Sequence, residues 1–128
     1  MISPIYLDNA ATTRLDSEVL EAMLPYMVEY YGNPSSIHNG GRHSRIAIES
    51  ARKTVAKFLG AQPNSIYFTS GGTESNNTAI TAAIRDLGCD YIITSPIEHH
   101  AVLHTVEYFS RTYHLPLVFV KLTAEGEV

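Results

Sequence analysis

Phe68-Thr69-Ser70-Gly71-Gly72-Thr73-Glu74-Ser75-Asn76 reads as a β-strand that ends in a glycine turn and opens a helix. Such a junction aims backbone N–H groups and the positive end of a helix dipole at one point, which suits a bound phosphate. Gly71 and Gly72 let the backbone approach a ligand with no Cβ in the way. Thr73 stands where the helix begins and adds a hydroxyl, so a phosphate would meet several donors at once. The same residues also read as an ordinary helix start capped by Ser70 or Thr73. The Ser/Thr-x-x-Glu/Gln capping box is not satisfied at these positions. The turn lacks the Gly-Lys-Ser/Thr ending of a P-loop and the Gly-x-Gly-x-x-Gly of a dinucleotide fold. A monophosphate ligand fits it better.

Outward from this turn the chain alternates. Ile66-Tyr67-Phe68, Tyr91 to Thr94 and Leu117 to Val120 read as strands. Thr73 to Leu87 reads as a helix with Ala79, Ile80, Ala83, Ile84 and Leu87 buried, and His100 to Tyr113 as a helix with Val102, Val106 and Phe109 on one face. The order β-α-β-α-β over residues 65–128 predicts α/β layering. Residues 1–64 read as a helical segment in front of it. Asp16 caps a helix carrying Val19, Leu20, Met23, Leu24, Met27 and Val28, which Pro25 kinks and Gly32 stops. A second helix runs from Ser44 to Leu59 with Ala47, Ala51, Val55 and Phe58 inward, and Gly60 ends it. Asn33 to Arg42, between them, is polar, glycine-rich and too irregular for a simple connector.

Composition narrows the function. The 128 residues are 45% apolar with a net charge of −4, ordinary for a soluble globular domain and without the basic patch that nucleic-acid binding needs. No apolar run approaches a membrane span. Met1-Ile2-Ser3-Pro4 carries no basic leader or apolar signal core, and the single cysteine, Cys89, suits a reducing, cytoplasmic setting. Cys89 reads as a small turn residue after Gly88, with no basic neighbour in sequence to activate it.

A second polar junction, Pro96-Ile97-Glu98-His99-His100, follows a strand. His99 then lies at the same sheet edge as the glycine turn if the two strands are parallel. There it would stack on a flat ring and move protons near neutral pH; the plainer reading is a histidine that only packs at a helix start. His100 and His104 share a helical face, but no Glu follows the first to make a His-Glu-x-x-His site, so no metal is assigned. His43 and His114 read as surface residues.

These motifs, taken in order, resemble the N-terminal part of the cysteine desulfurases of the NifS/IscS type, in the class V aminotransferase group of pyridoxal-phosphate enzymes. Tyr6-Leu7-Asp8-Asn9-Ala10-Ala11-Thr12-Thr13 resembles the family's opening, and Gly32-Asn33-Pro34-Ser35-Ser36 with His38 its next loop. The glycine turn resembles its phosphate site, and Ile93-Thr94-Ser95 with Glu98-His99 and Ala101-Val102-Leu103 its ring-stacking segment. The resemblance implies an incomplete part of the large domain of a homodimeric transferase or lyase. That enzyme takes sulfur from L-cysteine, releases L-alanine and leaves a persulfide on an enzyme cysteine. The sulfur then passes to an acceptor or scaffold protein for iron–sulfur clusters or other sulfur trafficking. By likeness Gly72, Thr73 and Glu74 would bind the cofactor phosphate, and His99 would stack on the pyridine ring and serve in catalysis. Ala11, Thr12, Asn33 and His38 would line the substrate end.

The family's cofactor-linked lysine and its sulfur-carrying cysteine have no counterpart here, since Lys53, Lys57, Lys121 and Cys89 do not occupy those motifs. The chain is expected to be a piece of a longer enzyme, about a third of it, and inactive alone. A selenocysteine lyase, another class V enzyme, or a non-catalytic assembly module with apolar faces open to partners are the competing readings.

Overall fold

A computed structural model describes residues 5–128; Met1 to Pro4, read above for a leader, lie outside the described residues. The chain forms two compact units that divide between Tyr67 and Phe68.

The first unit is helical. Helix α1 spans Ser17–Val28, and the Asp16 carboxylate accepts from the Glu18 N–H at 2.8 Å, the N-cap expected from sequence. The helix passes through Pro25 and ends at Val28, with Glu29 and Tyr30 N–H groups both donating to the Pro25 carbonyl. Gly32 is therefore not its stop. A Cβ at Gly32 would lie 2.4 Å from the Gly40 carbonyl carbon, so close backbone approach is what this glycine serves. Helix α2 spans Asn39–Leu59, five residues earlier than its expected start at Ser44. His38 caps it, and Gly41, a poor helix former, fits because the neighbouring loop lies against it. A Cβ at Gly41 would sit 2.5 Å from both the Asn33 and the Ser36 carbonyl oxygens. Gly60 ends α2 as expected, in the left-handed conformation at φ 64°.

The second unit carries the α/β layering. Helix α3 spans Gly72–Arg85, strand β1 Ile92–Thr94, helix α4 His100–Tyr113 and strand β2 Leu117–Phe119. The strands pair in parallel, Ile92 with Leu117, Ile93 with Val118 and Thr94 with Phe119. The α/β class with preceding helices is as expected. The expected strand Ile66-Tyr67-Phe68 is not formed. A 3₁₀ turn, Pro63–Ser65, precedes it, and the Ile66 backbone is already engaged: its N–H donates to Pro63 and its carbonyl accepts from the Arg52 guanidinium. Backbone groups satisfied locally are not offered to a ladder.

Helices α3 and α4 pack on each other through Ile84, Val106 and Phe109, all buried, with Phe109 only 3% exposed. Their polar ties are the Thr105 hydroxyl on the Asn77 side-chain oxygen at 2.7 Å and Arg85 Nε on the Tyr113 hydroxyl at 2.9 Å, each joining positions 28 apart. A constant offset over eight residues means that the two helices run parallel in one register, so Gly72 and His100 begin at the same level. The apolar stripes of the first unit are less covered. Val19, Leu20, Met23, Leu24, Met27 and Val28 of α1 are exposed, Phe58 of α2, expected inward, is 85% exposed, and Leu87 after α3 is 79% exposed. Periodicity marks an apolar face but does not supply the surface that covers it. No helix among the described residues is long and apolar enough to cross a membrane.

Gly41→Ala is expected to destabilise the first unit by about 1–3 kcal/mol through backbone overlap, whereas an unobstructed helical Gly→Ala is stabilising. Urea unfolding followed by circular dichroism reads the difference.

Candidate functional site

The glycine turn is held by its own side chains. The Glu74 carboxylate reaches back to the Ser70 N–H at 2.6 Å and the Ser70 hydroxyl at 2.7 Å. The Ser75 and Thr69 hydroxyls lie 2.6 Å apart. The Glu74 carboxylate bond is not legible from residue pattern, since no Ser or Thr stands at the N-cap. The N-cap is Gly71, and it provides no side-chain cap. Neither Ser70 nor Thr73 caps the helix, and the plainer reading of this turn therefore fails. The first bond of α3 runs from the Ser75 N–H to the Gly71 carbonyl, so the N–H groups of Gly72, Thr73 and Glu74 have no acceptor within the helix. A Cβ on Gly71 or Gly72 would meet nothing within 4 Å. Packing inside the chain places no demand for glycine there; an approaching ligand would.

At the other helix start, His99 is the N-cap of α4, and its Nδ1 accepts from the Ala101 N–H at 3.1 Å. With Nδ1 accepting, the neutral ring carries its proton on Nε2. The ring is exposed. Thr73, Asn77, His99, His104 and Thr105 line one open depression, so Thr73 of the glycine turn and His99 share it, although no strand forms before the turn. His100 and His104 stack with ring centroids 5.3 Å apart, and no cluster of three metal-ligating side chains occurs among the described residues.

The remaining candidates lie in the first unit. Ala11 and Thr12 close a turn by donating their N–H groups to the Asp8 carbonyl at 3.2 and 3.3 Å, and the Thr12 hydroxyl lies 2.7 Å from the Tyr6 hydroxyl. Asn33 shapes its loop by accepting from the Ser35 N–H at 2.9 Å through its side chain and from the Ser36 N–H at 2.9 Å through its carbonyl. His38 spends Nδ1 on capping α2, accepting from the Gly41 N–H at 3.4 Å. Two residues missed from sequence pin this loop: Arg45 donates to the Pro34 carbonyl at 2.8 Å, and the Ser44 hydroxyl donates to the Tyr30 carbonyl at 2.8 Å. Both lie within the span expected for α2, where nothing in their spacing marks a bond back to the preceding chain. Cys89 is free and exposed, in the turn expected for it.

Parallel helices of equal start, one led by glycines and one by histidine, define an α/β protein with two polar helix starts at one level. The chain belongs to the aminotransferase class-V family, which matches residues 5–128, a family of pyridoxal-phosphate enzymes. Its relatives there are cysteine desulfurases of the IscS and NifS kind. It is 62% identical over 104 residues to cysteine desulfurase IscS of Methanosarcina thermophila, across 79% of this chain and 26% of that protein. A solved NifS-like protein is 43% identical with a TM-score of 0.79, over 89% of this chain and 32% of its own. A structure of SspA in complex with cysteine is 37% identical with a TM-score of 0.80, over 90% of this chain and 33% of its own. The chain thus spans no more than a third of the length of these relatives.

The Ser70 hydrogen bonds, backbone first, hold the Glu74 carboxyl below the usual carboxylate range. A depressed folded value stabilises the turn above the unfolded carboxyl value, and that contribution is lost as pH falls through the folded one. Ser70 amide protection, measured by hydrogen exchange, is therefore expected to fall on acidification below the ordinary carboxylate range. Glu74→Gln should remove this dependence while keeping an acceptor.

Proposed function

We propose that this chain carries the phosphate-anchoring and ring-facing part of a pyridoxal-phosphate-dependent cysteine desulfurase. The observation that supports it most is the shared depression: donors without acceptors at the start of α3, and an exposed histidine ring at the start of α4.

The donor set fits the cofactor's phosphate. Three N–H groups at a helix N-terminus and the Thr73 hydroxyl suit an anionic oxygen cluster. The Glu74 carboxylate, turned back onto Ser70, closes the turn rather than facing the anion. His99 presents a ring face for stacking and an Nε2 proton for transfer. When bound, pyridoxal phosphate supplies an electron sink that weakens bonds at the substrate's α-carbon. The protein's share is to fix the ring plane and phosphate, so that reacting atoms are held rather than found by diffusion. Ala11, Thr12, Asn33 and His38 are assigned to the L-cysteine end, by likeness to the family. A homodimer, a cytoplasmic setting and a sulfur-accepting partner protein follow from the same likeness.

Gly72→Ala separates binding from folding. The added methyl meets nothing of the chain's own, so thermal stability should hold or rise, while affinity for pyridoxal phosphate should fall about tenfold as the methyl blocks the anion. Equilibrium dialysis against pyridoxal phosphate and pyridoxal measures this. Equal affinity for the two in the unsubstituted chain would overturn the phosphate assignment. Incubated with the cofactor and L-cysteine, the 128-residue chain should form no L-alanine above the rate of the cofactor alone. Turnover would show that one of its own lysines serves.

A further inference from the structure

Four hydrogen bonds, with the Ala101 backbone joining the last two, link Thr73, Asn77, Thr105, Ala101 and the His99 ring. The Asn77 side-chain nitrogen donates to the Thr73 carbonyl at 2.7 Å, and the Asn77 side-chain oxygen accepts from the Thr105 hydroxyl at 2.7 Å. That hydroxyl also lies 2.8 Å from the Ala101 carbonyl, and the Ala101 N–H donates to His99 Nδ1 at 3.1 Å. The Asn77 amide has one sensible orientation: its nitrogen must face the Thr73 carbonyl, which leaves its oxygen, an acceptor only, toward Thr105. The single Thr105 proton is shared between two acceptors, Asn77 on α3 and Ala101 on α4. Thr105 is a buried polar residue, 8% exposed.

The location matters. Among the described residues, Arg85 and Tyr113 tie the far ends of α3 and α4, and the buried Ile84 and Phe109 lie toward that end as well. The Asn77–Thr105 pair supplies a side-chain hydrogen bond between the first halves of the two helices. The first turn of a helix frays most readily, and a ligand that spans a phosphate and a ring needs both anchors at one fixed separation.

We infer that Asn77 and Thr105 are positioning residues that set the register between the phosphate turn and the His99 ring. They thereby select a ligand carrying a phosphate and an aromatic ring over either part alone. This rests on the cofactor reading of the site. Neither side chain touches reacting atoms; each acts through Thr73 and His99.

The test uses the whole chain with Thr105→Val, which removes the hydroxyl at similar shape, Thr105→Ser, which keeps it, and Asn77→Leu. Binding of pyridoxal phosphate and of inorganic phosphate is measured for each, with imidazole ¹⁵N spectra of ligand-free protein. Thr105→Val and Asn77→Leu should each weaken pyridoxal phosphate about tenfold and leave inorganic phosphate within about twofold. Thr105→Ser should restore binding, the double variant should be no worse than either single, and the His99 resonances should shift in Thr105→Val. Equal losses for both ligands, or no loss for either, would overturn the inference. If the unsubstituted chain binds neither ligand, the cofactor reading fails instead. The spectra then still decide: unchanged His99 resonances in Thr105→Val would remove the path itself. Should Thr105→Val not fold, Asn77→Leu, which leaves the Thr105 bond to Ala101, carries the same comparison.

Discussion

A helix leaves its first N–H groups without acceptors, and a folded chain must cap them, hydrate them or give them to a ligand. At α4 this protein caps with His99. At α3 it does not: Gly71 provides no cap, and the nearby acidic side chain is bent back onto Ser70. The parallel, in-register packing of the two helices sets the uncapped start beside the capped one. Remove that packing and the glycine turn is an ordinary surface loop. The apolar contacts of Ile84, Val106 and Phe109 therefore serve the polar edge at a distance: they hold two helix axes so that two helix ends coincide.

The first unit shows the same economy in a loop. The chain from Gly32 to Gly41 folds back so closely that two glycines meet backbone. Arg45 and Ser44 then pin it with side-chain donors on main-chain carbonyls. Such bonds satisfy carbonyls that an irregular loop would otherwise leave to water. His38 is committed to capping through Nδ1, which leaves its other nitrogen as the part still free to meet a ligand. The apolar face of α1 and the Phe58 ring stand exposed.

Much of the fold was legible from residue pattern. Asp16 marked the start of α1 and Gly60 the end of α2, and the apolar spacing of α3 and α4 announced helices that formed at nearly the stated bounds. Ile92 to Thr94 and Leu117 to Phe119 announced strands. Ile66 to Phe68 misled, because β-branched and aromatic content signals a willingness to pair but not the presence of a neighbour. The start of α2 misled because Gly40 and Gly41 argue against a helix locally, while the loop pressed against Gly41 is a tertiary fact. At the site, Thr73 and His99 were legible as a turn residue and a strand-end histidine. Asn77, Thr105, Ser44 and Arg45 were not, since polar residues on helices usually face solvent and nothing in their spacing says otherwise.

The sequence by itself determined where α1 begins, where α2 ends, the extents of α3 and α4, and where glycine frees the backbone. These are properties of single residues and of their near neighbours, set by local sterics and periodicity. Tertiary structure alone decided that α3 and α4 share one register and that Asn77 bridges them. Those outcomes depend on the distance between atoms 28 residues apart, and such a distance is fixed by packing rather than by the order of residues along the chain.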